Sequence, residues 1–164
     1  MDHTVLYRRL AADLSTSMVY ALLRLRVEVF VVEQACPYQE LDGHDLHRTT
    51  RHYWLSPPDA IEEPQATLRL LELADGQFRI SRVCTAQRAR RQGEIRRLLE
   101  AALAEVGDAS CVVNAQRHCV ELYRGYGFVV DGEEFDPWPF YPPEPWLRLT
   151  RVTQKRGGAR NSDH

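Results

Sequence analysis

A cluster of basic residues and one glycine, RARRQG, comes directly before an apolar stripe in residues 88–106. The stripe has helical spacing, so the cluster falls at the start of a predicted helix. The first turn of a helix carries N–H groups without partners and a partial positive charge, and it therefore attracts anions. Gly93 would also let the backbone approach a phosphate closely. These residues predict a site for a diphosphate, held by backbone N–H groups and arginines.

An ordinary amphipathic helix with a solvated, arginine-rich first turn is the alternative interpretation of the same stretch. Arginine at a helix N-terminus opposes the helix dipole, however, so a cluster there is unfavourable without an anion. No Gly-Lys-Ser/Thr sequence follows, which excludes a Walker loop, and the single glycine excludes a Rossmann fingerprint. The charge pattern therefore favours a ligand over a plain surface helix.

The composition indicates a soluble globular protein of one domain. The chain has 164 residues, of which 44% are hydrophobic and 27% are charged, and this length supports a sizeable core. The net charge of -2 argues against general nucleic-acid binding, which usually needs a strongly basic domain. The N-terminus lacks the apolar run of a signal peptide, and no stretch reaches the roughly 20 apolar residues that span a membrane. We expect a cytoplasmic protein with no nucleic-acid or membrane partner.

The four cysteines are Cys36, Cys84, Cys111 and Cys119. None of them forms a Cys-x-x-Cys pair, and no histidine lies at a zinc-like spacing from them. We therefore expect no metal site. The cysteines are interpreted as reduced, structural thiols.

Hydrophobic periodicity predicts an alternation of strands and helices, with a hairpin turn at Asp75-Gly76. Strands are predicted over 4–9, 52–55, 66–73, 78–85, 111–115, 128–135 and 147–152, and helices over 14–32, 95–106 and 120–124. This order predicts an α/β domain with a mixed sheet. The polar residues 153–164 are predicted to form a disordered tail.

Three stretches resemble the Gcn5-related N-acetyltransferase (GNAT) superfamily. RARRQGEI, after the predicted strand FRISRVCT, resembles its acetyl-CoA signature R/Q-x-x-G-x-G/A, with Arg90, Gln92 and Gly93 on the pattern. LLRLRVEVFVVEQACPYQELDG (22–43) resembles the N-terminal helix and loop of the ElaA-type branch. AQRHCVELYRGYGFV (115–129) resembles the final helix of that branch, with Tyr123 on its Y-x-x-x-G-F pattern.

The resemblance implies a single GNAT-type domain over 1–152, with a mixed, mostly antiparallel twisted sheet of six to seven strands and flanking helices. It also implies transfer of an acyl group from acetyl-CoA to a primary amine by direct attack. Acetyl-CoA is the implied co-substrate, and no metal is needed. The implied cofactor-binding residues are Val83, Cys84, Thr85, Arg88, Arg90, Arg91, Gln92, Gly93, Glu94, Ile95 and Arg96.

The implied catalytic acid is Tyr123, which matches the tyrosine that protonates the departing thiolate in this family. A tyrosine that merely packs in a helix is the alternative. Glu33, at the end of the first predicted helix, is the candidate for the base. With the loop carboxylates it would also attract a cationic amine, unless the loop is only a solvated acidic surface. The other candidates near the acceptor are Phe30, Glu40, Asp42, Asp45, His52 and His118. The residues predicted to bind the substrate are Phe30, Glu33, Asp42 and His52.

The sequence departs from the family pattern at two places. Ile95 stands where the signature has its second Gly/Ala; it belongs to the apolar stripe, so its side chain is expected to point toward the sheet. The segment 135–147, FDPWPFYPPEPWL, replaces the usual acidic, glycine-containing segment, and its prolines prevent a regular strand. Its aromatic residues predict a covering loop, a wall over the acceptor site or a subunit contact.

Two other functions remain open at this stage. An acyl-homoserine-lactone synthase relative would share the fold and a similar R-x-x-V-F start, but the Arg/Gln/Gly signature favours CoA over an acyl-carrier protein. A non-catalytic CoA-binding module would keep the signature without the chemistry. The acceptor, a small molecule or a protein amine, is not identified by the sequence, and a homodimer is left open.

Overall fold

The structure is a computed structural model, and it describes residues 3–36, 38–135 and 145–152. Strands and helices alternate along these residues in the predicted order. The strands are β1 (Val5–Leu10), β2 (Arg51–Ser56), β3 (Ala66–Glu72), β4 (Phe78–Thr85), β5 (Cys111–Gln116), β6 (Val129–Val130) and β7 (Trp146–Arg151). The helices are α1 (Thr16–Val27), which continues as a π-helix (Glu28–Glu33), α2 (Glu94–Val106) and α3 (Val120–Arg124).

The described strands form one sheet in the order β1-β2-β3-β4-β5-β7-β6. β4 and β5 pair in parallel, whereas the other neighbouring strands pair antiparallel. The parallel pair is possible because α2 lies in the connection between the two strands, as a parallel crossover requires. The predicted fold, a single domain with a mixed and mostly antiparallel sheet of six to seven strands, is confirmed.

Helices cover both faces of the sheet. The apolar stripe of α2, which includes Leu98 and Leu99, packs against one face together with Leu68 and Ile80 of the central strands. α1 covers the opposite face, where Leu22 packs beside Trp54. Each of these side chains is almost completely buried, and burying one such side chain stabilises the fold by about 1.5–3 kcal/mol. This packing fixes the start of α2 relative to the end of β4.

Two predicted elements differ from the structure. The helix predicted over 14–32 begins only at Thr16, capped by Ser15, and it widens into a π-helix at Glu28. The strand predicted over 128–135 is reduced to two residues, Val129–Val130. Gly132 then takes a φ of +116°, a conformation that glycine adopts without strain but that does not continue a strand. Residues 136–144 and the predicted tail at 153–164 lie outside the described residues.

Candidate active site

A cleft with a volume of about 1070 Å³ opens where the two parallel strands separate. β4 and β5 pair only from Phe78 to Ile80 and from Cys111 to Val113. Beyond these pairs, the C-terminal halves of the two strands no longer pair with each other, and both line the cleft. The start of α2, the end of the π-helix and α3 supply the rest of the lining. The fold therefore brings three of the stretches that sequence analysis identified to one cleft.

A β-bulge interrupts β4 between Ser81 and Cys84, where Arg82 and Val83 both lie opposite Leu68 of β3. Arg82 has a φ of +53°, a left-handed conformation that is uncommon for a residue with a side chain. A bulge adds one residue to a strand and therefore reverses which way the following backbone groups point. Bulges of this kind are over-represented next to active sites.

Backbone groups after the bulge face the cleft. The N–H of Ala86 donates to the C=O of Gln65 at 2.7 Å, on the β3 side. The C=O of Thr85 accepts a hydrogen bond of 3.3 Å from Nε of Arg90, on the cleft side. Because backbone groups alternate along a strand, the N–H groups of Val83 and Thr85 point toward the cleft, where a carbonyl oxygen could accept from them.

The start of α2 leaves a row of N–H donors without acceptors. The N–H of Arg97 donates to the C=O of Gly93 at 3.3 Å, and this is the first hydrogen bond of the helix. Within the described chain, the N–H groups of residues 91–96 have no hydrogen-bond acceptor. Arg91 and Gly93 have φ values of +66° and +77°, and nothing lies within 4 Å of the position that a Cβ on Gly93 would take. These donors, with the arginines beside them, fit the diphosphate of CoA.

Most of the predicted cofactor-binding residues line the cleft. The exceptions are Arg88 and Gln92, whose exposed side chains lie outside it. Glu94 is buried and accepts a hydrogen bond of 3.2 Å from Oγ1 of Thr4, so only its backbone N–H is free for a ligand. Ile95 is partly buried and packs against the core beneath α2, as its place in the apolar stripe predicted.

Arg90 is already paired with the residue that was predicted to be the base. Nη1 of Arg90 donates to Oε1 of Glu33 at 2.8 Å, and Nη2 donates to Oε2. The hydrogen bond from Arg90 holds the pKa of Glu33 below its usual range. A carboxylate with a lowered pKa is a weak base, which argues against general-base catalysis by Glu33.

Tyr123 lines the cleft from α3, and it is buried with 5% of its surface exposed. Its ring makes an edge-to-face contact with Phe128, at 5.7 Å between ring centroids. Burial raises the pKa of Tyr123 above its ordinary value, so the hydroxyl keeps its proton at neutral pH. Among the described residues no hydrogen-bond partner occupies this hydroxyl, which leaves it available to a ligand in the cleft.

The loop carboxylates Glu40, Asp42 and Asp45 are paired with arginines of the fold. Arg26, which is 1% exposed, donates from Nε to Glu40 and from Nη2 to Asp45 at 3.2 Å. Burial alone would raise the pKa of Asp45. The hydrogen bond and the charge of Arg26 lower this pKa by more than burial raises it, so the net shift is downward. Glu40 and Asp45 are therefore structural counter-ions of a buried arginine rather than candidate bases.

Asp42 is also held by arginines. It accepts two hydrogen bonds of 2.8 Å from the guanidinium of Arg69, and Nη2 of Arg82 lies 3.2 Å from Oδ2. Burial raises the pKa of Asp42, but the bonds from Arg69 and the N–H of His44 outweigh it, and the net pKa is lowered. Asp42 lines the cleft, as does Phe30. Sequence reasoning missed the partner arginines, although the excess of arginine in the chain was a signal.

The two histidines have different positions. His52 is buried, its Nε2 lies 2.9 Å from the C=O of Asp45, and burial lowers its pKa. It does not belong to the lining of the cleft, so its predicted contact with the substrate is not supported. The sequence placed it near the groove because it could not show that the ring turns into the sheet. His118 does line the cleft.

The ends of the proline-rich segment lie at the cleft. Phe135 and Trp146 form an isolated β-bridge, with hydrogen bonds of 2.9 Å in both directions, and both side chains line the cleft. The residues between 136 and 144 lie outside the described residues. The prediction of a covering loop, aromatic wall or subunit contact stays a prediction.

The four cysteines, all among the described residues, form no disulfide with one another. Burial raises the pKa of Cys84 to about 12 and that of Cys111 to about 11, so neither thiol is a nucleophile at neutral pH. Within residues 3–36, 38–135 and 145–152, no group of three His, Cys, Asp or Glu side chains could hold a metal ion. Across the same ranges, no helix has the length and apolar character needed to cross a membrane.

Comparisons with known proteins agree with this geometry. A family model for an acetyltransferase (GNAT) domain matches residues 60–137. The chain is 57% identical over 128 residues to UPF0039 protein Rv2851c of Mycobacterium tuberculosis. The aligned region covers 76% of this chain and 81% of that protein. It is 35% identical over 133 residues to protein ElaA of Escherichia coli. The aligned region covers 76% of this chain and 84% of ElaA.

Solved structures give the same result. The crystal structure of Escherichia coli ElaA matches with a TM-score of 0.81 and 30% identity, over 91% of this chain and 99% of that one. An acyl-CoA N-acyltransferase from Pseudomonas aeruginosa matches with a TM-score of 0.80 and 37% identity, over 92% and 100% of the two chains. The chain therefore belongs to the GNAT superfamily, a class of transferases. Within that class it belongs to the ElaA-like branch.

Proposed function

We propose that this protein is an acetyl-CoA-dependent N-acetyltransferase that acylates a primary amine of a small molecule by direct attack. The observation that carries the proposal is the row of free N–H donors over 91–96, which opens on the same cleft as Tyr123. The likeness to an acyl-CoA N-acyltransferase of known structure supports it. Acetyl-CoA, when bound, supplies an activated thioester carbonyl.

The start of α2 holds the cofactor in this proposal. The N–H groups of residues 91–96 and the side chain of Arg90 bind the diphosphate, which competes with Glu33 for the donors of Arg90. The N–H groups of Val83 and Thr85 orient the carbonyl oxygen and stabilise negative charge that develops on it, a contribution that is often worth about 10²–10³ in kcat. Holding the amine beside the carbonyl supplies much of the remaining rate.

Tyr123 acts as the general acid. Its hydroxyl holds a proton at neutral pH, because burial raises its pKa. The same dry surroundings disfavour a departing thiolate, so proton transfer from the phenol accompanies the departure. General acid catalysis typically contributes about 10²–10⁴-fold. Because Glu33 is a weak base, the amine is proposed to reach the cleft neutral after losing its proton to solvent.

Binding of acetyl-CoA to the purified chain tests the proposal directly. Acetyl-CoA at 100 times its Kd raises the free energy of unfolding by about 2.7 kcal/mol, which a thermal shift detects. Gly93→Val is expected to weaken binding at least tenfold, because a β-branched residue is strained at a φ of +77°. Gly76→Val, at a φ of +72° in the β3–β4 turn, is the matched control for that strain and should leave the Kd unchanged.

Thiol release across a panel of amines then separates an enzyme from a binding module. We expect release of CoA with at least one amine, and no comparable turnover with acetylated acyl-carrier protein as donor. Stabilisation by acetyl-CoA without release on any amine would favour a non-catalytic CoA-binding module. Stabilisation by acyl-carrier protein instead of acetyl-CoA would favour an acyl-homoserine-lactone-synthase-like enzyme.

A further inference from the structure

The floor of the cleft on the face opposite α2 is polar. Side chains alternate along β4, so Ile80 packs in the core beneath α2 while Arg79 and Ser81 point the other way and line the cleft. Ser81 accepts a hydrogen bond of 3.0 Å from Nε of Arg69 on β3. Asn114 of the neighbouring β5 also lines the cleft and is exposed. This floor lies just before the point where β4 and β5 separate.

Most arginines near this floor have carboxylate partners. Arg26 pairs with Glu40 and Asp45, and Arg69 pairs with Asp42 and Asp45. These pairs show that the charges of the loop 38–45 are balanced by arginines from the fold itself. Arg82 pairs with Glu40 and Asp42, and Arg90 pairs with Glu33.

Arg79 is different. In the part of the chain that the structure describes, its side chain has no hydrogen bond, ion pair or ring contact, and its Nε is buried without an acceptor. The Nε of Arg82, by contrast, lies 2.8 Å from a carboxylate oxygen of Glu40. A buried guanidinium donor without a partner is unfavourable, and it marks a position where a ligand can supply the acceptor. Among the described residues, the guanidinium of Arg79 on this floor therefore has no carboxylate partner.

We propose that the acyl acceptor is an amine that also carries a carboxylate, and that Arg79 binds this carboxylate. The proposal rests on the N-acyltransferase function proposed above. A guanidinium is a planar fork that matches the two oxygens of a carboxylate. The hydroxyl of Ser81 accepts from Arg69, so its own O–H is free to donate to the same carboxylate. Polyamines and other purely cationic amines are expected to bind more weakly, because they would face Arg79 with like charge.

The test compares each acid with its amide. The probes are product analogues, the N-acetyl derivatives of glycine, β-alanine and phenylalanine, each with its carboxamide, observed by ligand NMR in the presence of CoA. The wild type is expected to bind at least one acid tenfold or more tightly than its amide. Arg79→Gln is expected to abolish this preference, and Arg79→Lys to keep only part of it, since Lys lacks the fork. Arg124→Gln, an exposed arginine on α3 outside the cleft, is the control and should behave as the wild type.

Two outcomes overturn the proposal: no acid binds more tightly than its amide in the wild type, or Arg79→Gln keeps the preference. Calorimetry with acetyl-CoA alone distinguishes this from failure of the proposed function. The Kd for acetyl-CoA should stay within twofold in Arg79→Gln, because Arg79 lies away from the start of α2. If the protein binds acetyl-CoA but prefers the amides, the proposed acyltransferase function stands and only the proposed carboxylate site is refuted.

Discussion

Arg90 and Glu33 form a two-point ion pair in the lining of the cleft, and the pair joins the loop before α2 to the end of the π-helix. Nε of Arg90 also donates to the C=O of Thr85 at 3.3 Å, so all three arms of this guanidinium are fixed. The sequence places these two residues 57 positions apart, and the fold makes the predicted base a partner of the predicted phosphate ligand. Glu33 and a bound diphosphate therefore compete for the donors of Arg90.

Glu33→Gln is expected to tighten acetyl-CoA binding up to about fivefold and to leave kcat nearly unchanged. An exposed ion pair is worth about 0–1 kcal/mol, and removing the Glu33 charge frees Arg90 for the diphosphate. Arg90→Gln should weaken binding, and Arg24→Gln, on α1 in an exposed pair with Glu28, is the control. Calorimetry and steady-state kinetics check these values. A fall of kcat by 10²-fold or more in Glu33→Gln would restore its assignment as the base.

Tyr123→Phe is expected to lower kcat by about 10²–10⁴-fold, the usual contribution of a general acid, with the Kd for acetyl-CoA unchanged. The hydroxyl makes no hydrogen bond within the described residues, so its loss should change the melting temperature little. Tyr20→Phe, at an exposed position of α1, is the control. Kinetics with excess acetyl-CoA and a thermal melt make the comparison. Retained kcat would leave Tyr123 as a packing residue only.

The sequence predicted the fold well because its helices and strands are strongly periodic. The stripe containing Leu98 and Leu99 identified α2 almost to the residue, and the run of residues 78–85 coincides with β4. The β-bulge at Arg82 had no such signal, since it depends on the pairing with β3 and is not a local preference. β6 was predicted too long, over 128–135, for a similar reason, because periodicity does not reveal where Gly132 breaks the pairing.

The candidate site was predicted only in part. Tyr123 and Gly93 were found because they fall on motifs whose spacing is fixed along one segment. The partners of the loop carboxylates come from distant segments: Arg26 and Asp45 are 19 positions apart, and Arg69 and Asp42 are 27 apart. No spacing rule connects such residues, so the sequence predicted carboxylates that attract an amine, or a solvated acidic loop, and did not predict their ion pairs with arginines.

Arg26→Ala is expected to destabilise the fold by about 3–5 kcal/mol, because it leaves the carboxylates of Glu40 and Asp45 buried without their main partner. Arg24→Ala is the matched control on the same helix; its pair with Glu28 is exposed, so the change should cost about 0–1 kcal/mol. Urea unfolding curves give both values. Equal effects of the two substitutions would show that the buried network contributes no more than a surface pair.

Ile95→Ala is expected to lower the free energy of unfolding by about 1–2 kcal/mol, less than the roughly 2–5 kcal/mol of a fully buried site, since Ile95 is only partly buried. The Kd for acetyl-CoA should remain within threefold, because the ligand is held by backbone N–H groups and the side chain points toward the core. Urea unfolding and calorimetry measure the two effects separately. A tenfold change in Kd without loss of stability would mean that the Ile95 side chain itself contacts the cofactor.

Stability is expected to fall steeply as the pH drops below about 4, the region where free carboxyl groups titrate. The folded state holds the pKa of Asp42 and Asp45 below the ordinary value of 3.8 through their arginine partners. The unfolded chain therefore binds more protons than the folded chain in this range, so acid favours unfolding by up to about 1.4 kcal/mol per pH unit for each group. Urea unfolding at several pH values between about 2 and 5 measures the slope of stability against pH.

Asp42→Asn should make this slope shallower while lowering stability at neutral pH. Asp59→Asn, at an exposed turn, should keep the wild-type slope. An unchanged slope in Asp42→Asn would mean that the ion pair with Arg69 does not persist in solution.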